Sequence, residues 1–339
     1  MLRLYMICAC VAFVAVQASG ANSPRERLSL DANWKFHLAD IALNAFPGGR
    51  GVALYGADFT HSGAKAGHVW GAAARGFDDQ NWRQVSLPHD WAVEQPFDPK
   101  AVKQQGYRSR GISWYRRIFK LDSADRGKNI ELQFDGVATH CTVYFNGTEV
   151  AHNFCGYTSF NIDVTPMARY GNDENTIAVR VDADAMEGWW YEGAGIYRHT
   201  WLVKSSPVHV VTDGIYANPV KVADGNWTIP VEVTLGNTGT NATSAFVKID
   251  VFDFDGKQIA DGKSASVDIS PTDQALAKVS MPVRSPQLWS VDHPTLYEVR
   301  ATVISVDQVV DTVSTKCGFR TIRFDAKAGF LRWTPSSNH

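Results

Sequence analysis

The chain has 339 residues, of which 45% are hydrophobic and 20% charged, with a formal net charge of −2. That is an ordinary globular balance for about two domains, and it excludes the strongly basic surface of a nucleic-acid-binding protein. Aromatic residues make up 12%, a bias that suits β-strands and ring-lined surfaces.

The chain begins with a short basic start, Met1-Leu2-Arg3, and then an uncharged apolar run from Leu4 to Val16. Val16-Gln17-Ala18 or Ala18-Ser19-Gly20 offers a small-residue cleavage site, and the polar stretch from Asn22 to Arg27 follows at once. The run is too short for a comfortable membrane span. Residues 1–20 are therefore expected to be a signal peptide, giving an exported protein, periplasmic or extracellular, with no membrane partner after cleavage. Residues 41–76 are rich in Gly and Ala, include Pro47-Gly48-Gly49, and read as a long surface loop.

Strand signals then dominate. Ile130, Leu132 and Phe134 alternate with Glu131, Gln133 and Asp135. Cys141, Val143 and Phe145 alternate with Thr142 and Tyr144 and run into Asn146-Gly147, the strongest short hairpin signal. A two-residue hairpin there sets Cys141 opposite His152 rather than Cys155, so Cys141, Cys155 and Cys317 are expected to be buried free thiols. Ile177, Val179 and Val181 form another alternating run. Ser205-Ser206-Pro207 marks the domain boundary. Beyond it, roughly seven strands are expected, near the size of an immunoglobulin-like sandwich. No long segment keeps a 3.6-residue period, so very little helix is expected. Asn146, Asn226 and Asn241 open glycosylation triplets, which carry little weight because such triplets are common by chance.

The sequence holds no phosphate-binding glycine loop, no Cys/His metal cluster and no Gly-x-Ser-x-Gly elbow, so no cofactor or metal is expected. Asp253-Phe254-Asp255-Gly256 resembles the start of a calcium loop but lacks the distal glutamate, and reads as a hairpin turn. Glu187 and Glu192 stand five residues apart in a glycine-rich loop. Such a pair has no fixed separation, which glycosidic acid/nucleophile chemistry needs. "LPHDWAVEQPFD" (87–98) is more informative. Asp90 beside Trp91 offers a carboxylate for sugar hydroxyls and an indole for the sugar's C–H face; read alone, it equally suits an Asp capping a turn with Trp in the core.

Several long stretches, in order, resemble the N-terminal part of glycoside hydrolase family 2, the β-galactosidase, β-glucuronidase and β-mannosidase group. They are Trp34-Lys35-Phe36-His37, Phe77-Asp78-Asp79 with Trp82, "LPHDWAVEQPFD", "GISWYRRIF" (111–119), the stretch 134–165, and "GWWYEGAGIYRHTWL" (188–202). "SPQLWSVDHPTLYEV" (285–299) and "CGFRTIRFDAKAGF" (317–330) resemble the closing strands of that family's second domain. "PHDW" and "WWYEGAGIYR" together are most similar to an exported β-galactosidase-like branch. The resemblance implies an all-β chain: a sugar-binding jelly-roll sandwich over 24–207, an immunoglobulin-like sandwich over 208–322, and a linker or tail over 323–339. It further implies that Asp90, Trp91, Trp189, Trp190, Tyr191 and Glu192 lie beside a bound β-galactoside or related glycan and that none is catalytic. Ile196, Tyr197 and Trp201 are expected in a strand entering the core, with Arg198 on its other face.

Family members continue into a (β/α)₈ TIM barrel that carries the acid/base and nucleophile glutamates of retaining hydrolysis. Here only Arg323 to His339 follow Ile322, whereas a barrel needs at least about 200 residues. The sequence therefore leads us to expect a non-catalytic fragment, inactive alone. The alternatives are a subunit completed by a separately encoded barrel and a stand-alone carbohydrate-binding module.

Overall fold

The computed structural model describes residues 25–41, 71–184, 188–222, 226–327 and 329–332. The expected signal peptide and Glu187 lie outside them, as does most of the segment 41–76. The chain is all-β, and its helical residues form short 3-10 turns.

Among the described residues, ten strands build the first domain: β1 (Glu26–Ser29), β2 (Trp34–Leu38), β3 (Arg83–Val85), β4 (Ile112–Lys120), β5 (Asn129–Phe134), β6 (His140–Phe145), β7 (Thr148–Asn153), β8 (Phe160–Asp163), β9 (Glu174–Asp182) and β10 (Thr200–Ser205). They form a four-stranded sheet, β1-β10-β5-β8, and a six-stranded sheet, β3-β2-β4-β9-β6-β7. From β4 to β6 and again from β8 to β10 the chain passes from one sheet to the other at each step, as a jelly roll requires. The inward residues of both sheets, among them Trp34, Tyr115, Leu132, Phe134, Phe145 and Ile177, close one core. The alternation seen in the sequence is this inward and outward facing.

Two details depart from the sequence reading. Asn146 and Gly147 both have positive φ, as a type I′ turn demands, but a β-bulge follows: pairing jumps from Val143↔Ala151 to Tyr144↔Glu149. The extra residue, Val150, moves the register by one, so Cys141 faces Asn153 and Thr142 faces His152. The thiols of Cys141, Cys155 and Cys317 are free, with Cys155 only half-buried. The described end of the segment 41–76 is also not wholly a surface loop: Gly71–Ala73 is a 3-10 turn, and only Arg75 and Gly76 are exposed. Ala72 and Ala73 are buried on the outer face of the six-stranded sheet, against Trp114 and Tyr144. Arg116, itself fully buried, holds them there by donating to the carbonyls of Ala72, Ala74 and Arg75 and to Asp79. A buried guanidinium is tolerable only with such full pairing.

The second domain begins at β11 (Val208–Ala217) and continues through β12 (Val220–Lys221), β13 (Trp227–Asn237), β14 (Thr243–Phe252), β15 (Gln258–Lys263), β16 (Val267–Ile269), β17 (Asp273–Val283), β18 (Tyr297–Ser305) and β19 (Gln308–Cys317). One sheet centres on β13, paired by β17 along one edge and by β11 and β12 along the other; the second runs β15-β14-β18-β19, with β16 beside β14. There are nine strands rather than roughly seven, because β12 and β16, of two and three residues, are too short to show a period. Asp253 to Gly256 form the hairpin turn between β14 and β15, with the Asp253 carboxylate accepting from the N–H groups of Asp255 and Lys257. After β19, β20 (Ile322–Asp325) pairs with β21 (Gly329–Arg332), so the expected tail starts as a hairpin.

The two domains are joined by polar contacts. Arg25 forks onto Asp311, fully buried in β19, whose Oδ2 also accepts from the Val210 N–H at 2.8 Å. Thr212 of β11 donates to Glu131 of β5 and accepts from Gln133.

Candidate functional site

The site is built where three segments of the first domain are laced together. His89 and Trp91 donate their N–H groups to the carbonyls of Ile196 and Ala194, at 2.8 and 2.9 Å. Ala138 and Gly195 exchange both backbone hydrogen bonds at 2.9 Å. The crossing is so close that a Cβ on Gly195 would lie 2.3 Å from the Tyr115 hydroxyl oxygen and 2.6 Å from the His89 carbonyl oxygen, and its φ is +123°. Only glycine fits both the space and the backbone.

Asp90 stands at this crossing. Its Oδ1 accepts from the N–H groups of Ala92 and Ala194, both at 3.0 Å, and its Oδ2 accepts from the Tyr191 hydroxyl at 2.7 Å. Three donors already occupy the carboxylate, which has about four acceptor positions, so it offers room for one further donor. Burial, then the hydrogen bond to Asp90 and that group's charge, holds the Tyr191 phenol well above its ordinary pKa.

Beneath Asp90, His89 is buried between Phe36 and Tyr115. Burial lowers its pKa, opposed by the Glu94 carboxylate, whose Oε1 lies 3.3 Å from Nε2, and aided by the Arg83 guanidinium, whose Nη2 lies 2.7 Å from the same nitrogen. Arg83 can only donate, which makes Nε2 the acceptor of a neutral ring and leaves Nδ1 to donate to the Tyr115 oxygen at 2.7 Å.

The loop 188–195 carries the rings. Trp189 and Trp190 are 87% and 60% exposed, and Tyr191 is exposed beside them. The Trp190 indole N–H donates to the Tyr157 hydroxyl at 2.8 Å, so Tyr157 extends the ring-bearing surface. The loop's base, by contrast, is buried. Glu192 is enclosed with Gln105 and Arg110: the Gln105 amide donates to Glu192 Oε2 at 3.0 Å, and Arg110 lies 3.8 Å from the same oxygen.

The sequence-derived residues therefore separate. Tyr191 touches Asp90, and Trp189 and Trp190 precede it on the same loop as exposed rings. Trp91 is not among them: at 1% exposed it is packed in the core, turned inward by the 3-10 turn Ala92–Glu94, and offers no ring face to a ligand. Glu192 turns inward as the loop's anchor. Ile196 is buried as expected, but the strand begins only at Thr200, and Tyr197 instead donates its hydroxyl to the Gly156 carbonyl at 2.7 Å. Gln105 and Arg110 were not singled out from the sequence; the segment "KQQGYRSRG" has no pattern that marks buried polar side chains.

The fold defines an all-β, two-domain chain: a jelly roll with an exposed ring-bearing loop, followed by an immunoglobulin-like sandwich. The comparisons with known proteins make this particular. Residues 84–207 match the family model described as Glycosyl hydrolase 2 galactose-binding domain-like, and residues 208–320 match that of Glycosyl hydrolases family 2. By these two domains the chain belongs to glycoside hydrolase family 2. It is similar to the beta-galactosidase BoGH2A of Bacteroides ovatus, with 33% identity over 319 residues, covering 93% of this chain and 34% of that protein. It is also similar to a beta-glucuronidase of Formosa agariphila, with 27% identity, covering 75% of this chain and 28% of the relative. Among solved structures, a glycosyl hydrolase family 2 member from Bacteroides cellulosilyticus superposes with a TM-score of 0.75 at 32% identity, covering 90% of this chain and 37% of that one. The chain thus spans about a third of the length of the relatives it matches.

Proposed function

We propose that this chain is the non-catalytic, sugar-facing portion of an exported family 2 glycosidase. The loop 188–195, with Asp90, shapes the rim of a site for a β-galactoside or related glycan. The observation that carries the reading is the contrast within one loop: Trp189 and Trp190 stand in solvent, while Asp90, Glu192 and Gln105 fix the backbone beneath them. Exposed rings held on a rigid base suit stacking on the C–H face of a pyranoside. The span of about a third of its relatives supports a chain whose acid/base and nucleophile carboxylates lie elsewhere. On this reading the purified chain binds a galactoside weakly and hydrolyses none. Robust hydrolysis of a β-galactoside by the chain alone would overturn it.

A second reading, a subunit completed by a separately encoded barrel, is favoured by the hairpin β20–β21, where Ile322 and Phe324 are exposed. It predicts glycosidase activity only on mixing the two chains. Export is inferred from residues 1–20 and tested by sequencing the N-terminus of the secreted protein, which should begin after Ala18 or Gly20.

A further inference from the structure

We propose that Gln105 is the positioning residue of the ring-bearing loop; the functional consequence rests on the reading that this loop meets a glycan. Gln105 ends the 3-10 turn Lys103–Gln105 and lies 87 residues before Glu192. Its side chain is fully buried, and both ends of its amide are used. Oε1 accepts from the Glu192 N–H at 3.1 Å and from Arg110 Nη1 at 2.8 Å. Nε2 donates to Glu192 Oε2 at 3.0 Å and reaches the Gly188 carbonyl oxygen at 3.5 Å.

One side chain therefore touches the loop at 188 and at 192, and the three aromatic residues 189–191 hang between those points. The amide has a single workable orientation. Turned over, its NH2 would meet two donors and its oxygen would meet a carboxylate. Tyr191 adds a second tether through Asp90. Arg110 completes the frame by donating also to Thr139 Oγ1 at 2.8 Å and to the Ala183 carbonyl, which ties the loop's far side to the end of β9. The path of the loop that carries the indoles is thus fixed at one end by Asp90 and at its base by Gln105, which touches neither Asp90 nor an indole. That path decides which pyranoside, with a hydroxyl for Asp90 and a C–H face for the rings, fits the rim.

The geometry gives a test by exchange of charge. Gln105→Glu keeps shape and volume but sets a carboxylate against Glu192. Glu192→Gln alone retains an acceptor for Gln105. The double variant Gln105→Glu/Glu192→Gln reverses the donor and acceptor and restores the 105–192 side-chain bond, while the carboxylate introduced at 105 still accepts from the residue-192 N–H and from Arg110; only the 3.5 Å contact to the Gly188 carbonyl is lost. Chymotrypsin cleavage at 189–191, mapped by mass spectrometry, reads loop opening directly, because cleavage follows the population of the open form. Cleavage in Q105E is expected to be about tenfold faster than in the wild type, with E192Q and the double variant near wild type. A packing role predicts no change in Q105E. Wild-type cleavage in Q105E, or a double variant cut as fast as Q105E, overturns the assignment. If Q105E fails to fold, recovery of the wild-type pattern in the double variant carries the same support, and a double variant that stays unfolded overturns it. Retention of the same variants on immobilised galactoside separates the two claims. If cleavage follows the expected order while neither Q105E nor Trp189→Ala alters retention, the positioning role stands and the sugar reading fails.

Discussion

The Tyr191 hydroxyl donates to Asp90 Oδ2 at 2.7 Å, across 101 residues of sequence, while Asp90 Oδ1 holds the N–H groups of Ala92 and Ala194. One carboxylate thus ties the turn it belongs to and the ring-bearing loop into a single unit. Asp90→Ala removes the acceptor for three donors, two of them backbone groups in a close-packed crossing. A loss of roughly 2–3 kcal/mol is expected, read as a lower urea midpoint with unchanged m-value. Tyr191→Phe removes one donor only and should cost roughly 1 kcal/mol.

Gly195→Ala tests the crossing itself. The added methyl would sit 2.3 Å from the Tyr115 hydroxyl oxygen on a backbone at φ +123°. A destabilisation of roughly 3 kcal/mol or more is expected in thermal denaturation. A variant as stable as the wild type would show that the three segments are not packed as described.

Trp189→Ala and Trp190→Ala should separate stability from recognition. Both rings are largely in solvent, so each change should shift stability by no more than about 0.5 kcal/mol. If the rings contact a glycan, galactoside affinity measured by titration calorimetry should fall about tenfold.

One buried carboxylate holds both sides of the join between the domains. Asp311→Ala deprives Val210 of its acceptor and Arg25 of its forked partner. The expected cost is roughly 3 kcal/mol, accompanied by faster hydrogen exchange at the Val210 amide.

The thiols predict both reactivity and a pH limit. Burial pushes Cys141 up from 9.0 to about 12 and Cys317 to about 11. In both, the folded state keeps a proton that the unfolded chain gives up. Their contribution is therefore complete below pH 9 and is lost as pH rises through about 11 to 12, so stability should fall on the alkaline side. At neutral pH, peptide mapping after alkylation of the folded domains should find Cys155 modified ahead of Cys141 and Cys317.

Much of the fold was legible because alternation is a direct image of burial. Ile130, Leu132 and Phe134 point inward, as their period states. The register of the β6–β7 hairpin was not legible, because one extra residue, Val150, has no signature of its own. Arg116 lies on the outer face of β4 with Trp114, where an arginine is ordinarily in water, yet it is buried because Ala72, Ala73 and Asp79 cover it. No period in the strand announces a cover supplied by another segment. In the loop 188–195, the exposure of Trp189 and Trp190 agrees with the surface position that the resemblance implied for them. Trp91 and Glu192 could not be placed, since an indole and a carboxylate serve a core and a frame as readily as a ligand. Gln105 was invisible because its role exists only through a contact 87 residues away.

The crossing at Gly195 has a consequence for how this surface can change over generations. The side chains that fix the loop's path, Asp90, Gln105 and Glu192, are different residues from the two indoles that the path displays. Positions 189 and 190 can therefore be exchanged with little effect on folding, so selection can change the rings this surface displays without rebuilding the scaffold. A library randomised at those two positions should yield mostly folded proteins, whereas one randomised at 105 and 192 should yield few.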